Sequence, residues 1–412
     1  MKIKIRKEVQ EIIEILEANG STAYLVGGAV RNQLLGIQVK DWDLATSATP
    51  DQMIQLFNSS GFSIVPSGIE HGTVTVLNKG LSIEITTYRI EGKYSDGRRP
   101  DNVRFNASLE EDLMRRDFTI NAMAYNKRTG LIDLFGGLND LKSKTIRCVG
   151  NAQDRFSEDY LRMLRAIRFA NTLDFNIDLD IKIATKNLKS KMKNISDERI
   201  EQEISKILTT GHGIKYFSLL QEMVPWLFKE DAKKRVDMCN YFLNYIKNDT
   251  LVINLTSTFL YDILSLDFLE RLKYSNKIKN EVNSLIECCQ EIEQNDTLFL
   301  QSSGVVNYNV KKCLLDRFDR LTVFEAMFIC QNRIGVNLTK MGNLTNAVYD
   351  ILSKNEPVSI SDLDIDGNDI KKFNIKGKGI GECLKTLQEY IWRNPKENKK
   401  RFLLRFLKER KK

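Results

Sequence analysis

Histidine is nearly missing from these 412 residues, with only His71 and His212 present. That argues against a His-ligated metal centre and a Ser-His-Asp hydrolase, and leaves the chemistry to carboxylates and arginines. Cysteine is sparse and unpatterned. The seven include the neighbours Cys288 and Cys289, which cannot easily bridge each other, and no Cys-x-x-Cys occurs. Neither a disulfide framework nor a zinc site is indicated. No apolar run reaches the ~18 residues that a membrane span needs. The N-terminal Met1-Lys2-Ile3-Lys4-Ile5-Arg6 leads straight into an amphipathic helix without a cleavable signal pattern. The expected location is the cytoplasm, with no membrane partner. Internal repeats and low-complexity linkers are also lacking.

What is present describes a soluble globular protein, 42% hydrophobic and 28% charged, long enough for two to four domains. The net charge of +8 is unevenly placed. Residues 371–412 carry fifteen Lys and Arg against four acids, so the chain before them is slightly acidic. A concentrated basic end is the footprint of a polyanionic partner, or else a solvated lysine-rich helix; charge alone does not separate the two.

The most informative stretch is residues 23–46. An apolar run, Ala23 to Val26, ends in Gly27-Gly28 and passes into a helical pattern with Val30, Leu34 and Leu35 on one side, closed by Gly36. A strand, a glycine turn and a helix start let backbone N–H groups approach a phosphate. A second strand then carries Asp41-Trp42-Asp43. Alternation puts both aspartates on one face and Trp42 in the core, a pattern able to hold divalent metal against a triphosphate. Singly, an Asp-x-Asp is an ordinary solvated turn and Gly-Gly is punctuation. Their order, with Arg31 on the intervening helix, is far more specific.

In these residues the chain resembles the nucleotidyltransferase superfamily of DNA polymerase beta, within it the class II tRNA nucleotidyltransferases and bacterial poly(A) polymerases. The resemblance implies Mg²⁺ held by Asp41 and Asp43 and a triphosphate seated by Gly28 and Arg31. Asn32 stands where that family usually has Asp, and its expected effect is the loss of an orienting interaction with Arg31.

Helical spacing predicts a first helix over residues 5–19 and another starting after Ser47-Ala-Thr-Pro50. Two alternating arms around Asn78-Lys79-Gly80 predict a hairpin, with Val74, Val76, Ile83 and Ile85 in the core. Glu84 would point the other way, as an exposed strand glutamate or a third carboxylate near the metals. Residues 89–105 have no sustained periodicity and form a long loop. CCA-adding and A-adding members of the family have such a loop, which points away from a CC-only enzyme. Ser108-Leu-Glu-Glu111 is a capping box. It leads to Arg115-Arg116-Asp117-Phe118-Thr119-Ile120-Asn121-Ala122, an octet intact from the family, where Arg116 matches a nucleotide contact. Residues 131–137 and 145–150 read as a closing strand pair that ends an α/β head near residue 150.

Beyond that point helical spacing takes over. Residues 156–170 read as one helix capped by Ser157, with Asp159 and Arg162 three apart on its surface. An isolated Asp-x-x-Arg is ordinarily an intrahelical ion pair worth a few tenths of a kcal/mol. The alternative is base selection: a carboxylate accepts from the amino group of cytosine or adenine while a guanidinium donates to the ring nitrogen. Uracil and guanine reverse that pattern and leave polar groups unpaired. The stretch matches the family's Glu-Asp-x-x-Arg motif at Glu158, Asp159 and Arg162, and Arg165 and Arg168 match pocket arginines. Ser196 to Leu208 reads as a capped amphipathic helix resembling the family's last neck motif, and His212 as a capping or surface residue.

Helices are expected at roughly 214–224, 235–247, 251–272 and 277–293, with more from 304 to 352. A glycine loop, Gly377 to Gly381, is expected to precede a helix beginning near Glu382. With Trp392, Arg393, Lys399, Lys400, Arg401 and Arg405 downstream it suggests an RNA backbone contact. The expectation is therefore an α+β protein. A mixed-sheet nucleotidyltransferase head (1–150) is followed by an all-α neck (151–211), body (212–300) and basic tail (301–412) for tRNA. What the resemblance implies is CCA addition to the tRNA 3′ end from CTP and ATP. The rivals are A-only addition or poly(A) synthesis, and a non-catalytic RNA-binding protein on the same scaffold. The oligomeric state stays open between monomer and homodimer.

Overall fold

Alternating strands and amphipathic helices at the start of the chain condense around one mixed sheet. The computed structural model describes residues 3–65, 68–92, 103–105, 107–209, 214–237, 239–240, 251–260, 263–265, 267–299, 303–332 and 337–409. His212 and most of the 89–105 loop fall outside them; at the ends of that loop, Ile90–Glu91 and Val103–Arg104 pair as a short antiparallel ladder. Two compact units are formed. One is Met1–Glu230 with Arg271–Lys273, the other Asp231–Glu270 with Tyr274–Lys412.

The first unit begins with α1 (Lys7–Ala18), whose Val9, Ile12, Ile13 and Leu16 are almost fully buried. Each such side chain stabilises the fold by ~1.5–3 kcal/mol. Then follow β1 (Ala23–Val26), α2 (Gly28–Leu35), β2 (Trp42–Thr46), α3 (Pro50–Ser59), β3 (Ser63–Val65), β4 (Thr73–Asn78) and β5 (Leu81–Thr87). Helix α3 opens with a full capping box between Thr49 and Gln52, and α4 (Leu109–Met114) with another between Ser108 and Glu111. Strands β6 (Met123–Asn126) and β7 (Gly130–Asp133) complete the sheet in the order β3-β4-β5-β2-β1-β6-β7. The short helix α5 (Gly137–Lys142) follows, its first N–H groups donating to the Asp133 carboxylate.

The hairpin forms as the alternation dictates, with Val74, Val76, Ile83 and Ile85 fully buried. The closing strands do not. Residues 130–133 pair with β6, because the Tyr125-to-Leu131 register continues a hairpin. The 145–150 segment instead provides β8 (Thr145–Ile146), which pairs in parallel with β9 (Asn176–Ile177). A ladder thus crosses the residue-150 boundary, and Arg147 reinforces it with ion pairs to Asp140 and Asp178.

The single helix expected over 156–170 is two. Helix α6 (Ala152–Glu158) is capped by Asn151, and α7 (Leu161–Leu173) follows. Asp159 between them is extended, at φ −145° and ψ 106°. Ser157 is no cap; its hydroxyl donates to the Gln153 carbonyl. Helices α8 (Leu179–Leu188), α9 (Asp197–Leu208) and α10 (Phe217–Met223) come next. In α9 the buried stripe Ile200, Ile204 and Ile207 includes a glutamate, Glu203, which is 3% exposed. Ser196 precedes α9 without a side-chain capping bond.

The described part of the second unit is helical. Its long helices are Asn276–Gln294, Arg320–Asn332, Leu338–Ser353 and Lys378–Arg393. The expected 251–272 helix is broken into Leu251–Leu260 and Phe268–Arg271. Helix Lys378–Arg393 starts four residues earlier than expected, with Gly377 at its N-cap, so Gly379 and Gly381 belong to its first turns. Trp392 is buried and its indole N–H donates to the Val358 carbonyl at 2.7 Å. It is a core residue, removed from any stacking role on RNA. Arg393, Lys399, Lys400, Arg401 and Arg405 are exposed.

Candidate active site

The turn after β1 fixes the site. Gly27 has φ +65° and ψ −131°, a conformation open to glycine and costly to other residues. A Cβ placed there would lie 3.1 Å from Arg116 Nη1 and 4.0 Å from Asp43 Oδ2. The conformational requirement therefore falls on Gly27, while Gly28 is the first residue of α2, with Arg31 Nη2 3.6 Å from where its Cβ would be.

Asp43 sits on β2, directly beside Glu84 of β5 in the parallel register. Asp41 lies just before the strand and is exposed; Trp42 between them is buried, as alternation requires. Burial, then Glu84, push the Asp43 carboxyl up to about 6, with Arg116 opposing and Asp41 adding to the rise. Glu84 is an exposed strand residue. Among the described residues, no three His, Cys, Asp or Glu side chains converge closely enough to cage a metal alone.

The second set arrives from α6, α7 and α9. All nine residues singled out from the sequence line one cleft of about 640 Å³: Gly28, Arg31, Asp41, Asp43, Arg116, Asp159, Arg162, Arg165 and Arg168. Gly27, Arg115, Asp117, Asn121, Leu161, Phe169 and Arg199 complete the wall. Seven arginines and four aspartates line it, and Asp112, Glu158 and Glu203 behind the wall pair with arginines of the set.

The ion pairs differ from those the spacing suggested. Arg162 pairs with Glu158, and also donates to the main-chain carbonyls of Arg155 and Arg115. Asp159 is gripped by Arg199, whose Nη1 and Nη2 donate to Oδ1 and Oδ2 at 3.2 and 2.8 Å. From the extended backbone at Asp159, its carboxylate reaches Arg199 of α9 while Oδ1 also accepts from the Leu161 N–H at the start of α7, at 3.1 Å.

The other arginines are equally anchored. Asp112, 1% exposed in its side chain, pairs with both Arg115 and Arg116. Arg165 Nη2 meets Asp117 Oδ2 at 2.6 Å and Arg168 Nε meets Glu203 Oε2 at 2.5 Å. Burial alone would lift the Asp117 carboxyl; Arg165 and Asn121 hold it well below the usual carboxylate range. For Arg165, burial works against the charge, and Asp117 and Glu203 more than reverse it. The guanidiniums of Arg31, Arg165 and Arg168 lie 5.0, 5.4 and 4.0 Å from the Phe169 ring centre. Asn32 does not cost Arg31 its orientation: Asn32 Oδ1 accepts from both Nε and Nη2, at 3.1 and 2.9 Å.

Arg199 and Glu203 were not singled out from the sequence, and Asp117 and Asn121 only as part of the octet, without roles of their own. Glu203 carried a signal: an acid on the buried stripe of an amphipathic helix demands a buried cation.

Comparison with known proteins agrees with this architecture. The Poly A polymerase head domain family matches residues 23–147, and the family described as the probable RNA and SrmB-binding site of polymerase A matches residues 174–223. The CCA-adding enzyme of Bacillus cereus (strain AH187) is 34% identical over 98% of both chains. The chain belongs to the CCA-adding enzyme family. The relative from Bacillus cytotoxicus is 32% identical, again over 98% of both chains. Among solved structures, the Bacillus stearothermophilus CCA-adding enzyme in complex with CTP matches with a TM-score of 0.72 at 27% identity, covering 98% of this chain and 97% of that one. The Thermotoga maritima CCA-adding enzyme complexed with tRNA matches in fold, with a TM-score of 0.63 at 20% identity, over 98% and 96% of the two chains. No helix among the described residues is long and apolar enough to cross a membrane.

Proposed function

We propose that this chain adds C, C and A in turn to the 3′ end of tRNA, from CTP and ATP, in the cytoplasm and with Mg²⁺. The observation that carries the reading is a single cleft lined by the Asp41–Asp43 acids, the glycine turn and the Asp159 and Arg162 side chains. One bound nucleotide can touch all three.

The donor set near β2 is carboxylate oxygen, which suits a hard divalent cation. With too few acids among the described residues to enclose an ion alone, Asp41 and Asp43 would hold it together with ligands from outside the protein. A divalent ion held by Asp41 and Asp43 would supply Lewis-acid chemistry, acidifying the attacking hydroxyl and offsetting the charge of the departing pyrophosphate. The tRNA 3′-oxygen attacks the α-phosphorus and its proton passes to water; the bond from the α-phosphorus to the α,β-bridging oxygen breaks, and pyrophosphate leaves with that oxygen. Arg31, Arg116 and the N–H groups of the glycine turn seat the triphosphate. Arg165 and Arg168 add positive charge around it.

Base choice falls to Asp159 and Arg162. Asp159 accepts from the exocyclic amino group of cytosine or adenine, and Arg162 donates to the ring nitrogen. UTP and GTP would leave buried groups unpaired, at ~1–3 kcal/mol each. Because Arg199 and Glu158 hold the two side chains separately, the reading edge is built before the nucleotide arrives.

Incorporation on tRNAs ending before CCA, after C and after CC tests the reading. CMP should enter the first two and AMP the third; failure of CMP to enter either would leave an A-only enzyme. An Asp41→Ala variant should lose all incorporation and keep tRNA binding. Asp159→Ala should relax discrimination against UTP and GTP more than it weakens tRNA binding.

A further inference from the structure

Six of the seven cleft arginines are met by a carboxylate, as Arg168 is by Glu203 and Arg199 by Asp159. Among the described residues Arg31 is the exception. Its Nε and Nη2 donate to Asn32 Oδ1, and its Nη1 donates to Asn121 Oδ1 at 2.5 Å. Both acceptors are neutral amides. An amide oxygen orients a guanidinium much as a carboxylate does, yet brings no charge to cancel it. Burial, then Arg168, lower the Arg31 pKa to about 10, which still leaves it fully charged near neutral pH. Asp117 opposes that lowering without an ion pair to Arg31; a partly buried cation with no carboxylate bonded to it is costly, and an anion arriving beside it recovers that cost. The guanidinium rests against Gly28, at the start of α2, where backbone N–H groups also favour negative charge.

We propose that Asn32 is a positioning residue that fixes Arg31 without neutralising it, keeping one unmatched charge for the polyphosphate of the nucleotide and for the pyrophosphate product. The charge of residue 32 thereby sets the cleft's affinity for polyphosphate. This rests on the cleft being a triphosphate site.

Asn32→Asp keeps the size and the acceptor and adds only charge. Equilibrium binding of CTP, inorganic pyrophosphate and uncharged cytidine to the full chain, at low and high ionic strength, isolates the effect. The expected result is a roughly three- to tenfold rise in Kd for CTP and pyrophosphate at low salt, shrinking at high salt, with cytidine unchanged. Asn32→Ser, a neutral acceptor, should show a smaller loss that salt does not alter. Undiminished polyphosphate binding by Asn32→Asp, or an equal loss for cytidine, overturns the proposal. If the unaltered chain binds neither CTP nor pyrophosphate, the triphosphate reading itself fails and takes the proposal with it.

Discussion

Arg199 and Asp159 lie forty residues apart in sequence and form a two-pronged ion pair across the cleft, at 3.2 and 2.8 Å. This pair replaces the short-range pairing of Asp159 with Arg162 that their spacing suggested. It defines where the Asp159 carboxylate sits. Arg199→Ala should therefore relax discrimination against UTP and GTP toward the level of Asp159→Ala, by roughly ten- to a hundredfold, as expected for losing a partly buried bidentate pair worth ~1.5–3 kcal/mol. Misincorporation assays with single nucleotides check it; unaltered selectivity would show that Asp159 holds its place without Arg199.

The acids beside β2 give a pH-dependent outcome. Asp43 is pushed up to about 6, first by burial and then by Glu84, while an unfolded aspartate titrates near ~4. Native protein thus holds a proton that the unfolded chain has released. In the metal-free protein the destabilising contribution begins as pH rises through about 4 and is complete above about 6. Asp43→Asn should raise the metal-free Tm at pH above 7, by less at pH 5, and abolish incorporation. A lowered Tm above pH 7 would contradict the sign.

Asp117 carries the opposite sign. Its carboxyl is held low by Arg165 and Asn121 against the effect of burial, so its stabilising contribution is complete above the ordinary value near ~4 and fades as pH falls below it. Asp117→Ala leaves Arg165 without this partner and should cost ~3–5 kcal/mol in urea unfolding at neutral pH. The deficit against the unaltered chain should narrow only on strong acidification.

Gly27→Ala tests the turn. The alanine must adopt φ +65° with its Cβ 3.1 Å from Arg116 Nη1, a strain of roughly 1–3 kcal/mol. Steady-state kinetics should show a raised KM for both CTP and ATP, with tRNA binding preserved. An unchanged KM would mean that Arg116 yields without consequence.

In the second unit, Lys399 and Arg401 are two of the five exposed cations expected to meet RNA phosphate. Replacing both with alanine should weaken tRNA binding and lower the slope of log affinity against log salt by roughly one for each phosphate left unneutralised. The Kd for CTP, measured without tRNA, should stay constant. Trp392, buried on Val358, should affect tRNA only by unfolding its surroundings.

The sequence alone determined the head's strand faces and the identity of its chemical groups. Alternation over 73–87 decided which side chains enter the core, since a strand has only two faces, and glycine at position 27 announced a backbone that other residues resist. Together with the family resemblance, it also pointed to nine residues that the fold brings to one cleft. What it could not decide was who holds whom. Asp159 and Arg162 are three apart, so their spacing argued for one helix and one ion pair. Instead, the backbone opens at Asp159, Arg199 takes the carboxylate from another helix, and Glu158 takes Arg162. The strand at 145–146 likewise chose Asn176–Ile177 over its neighbour in sequence. Charge pairing and strand pairing are satisfied by whichever partner the packed chain brings near, and that depends on distance in space, which local periodicity does not encode.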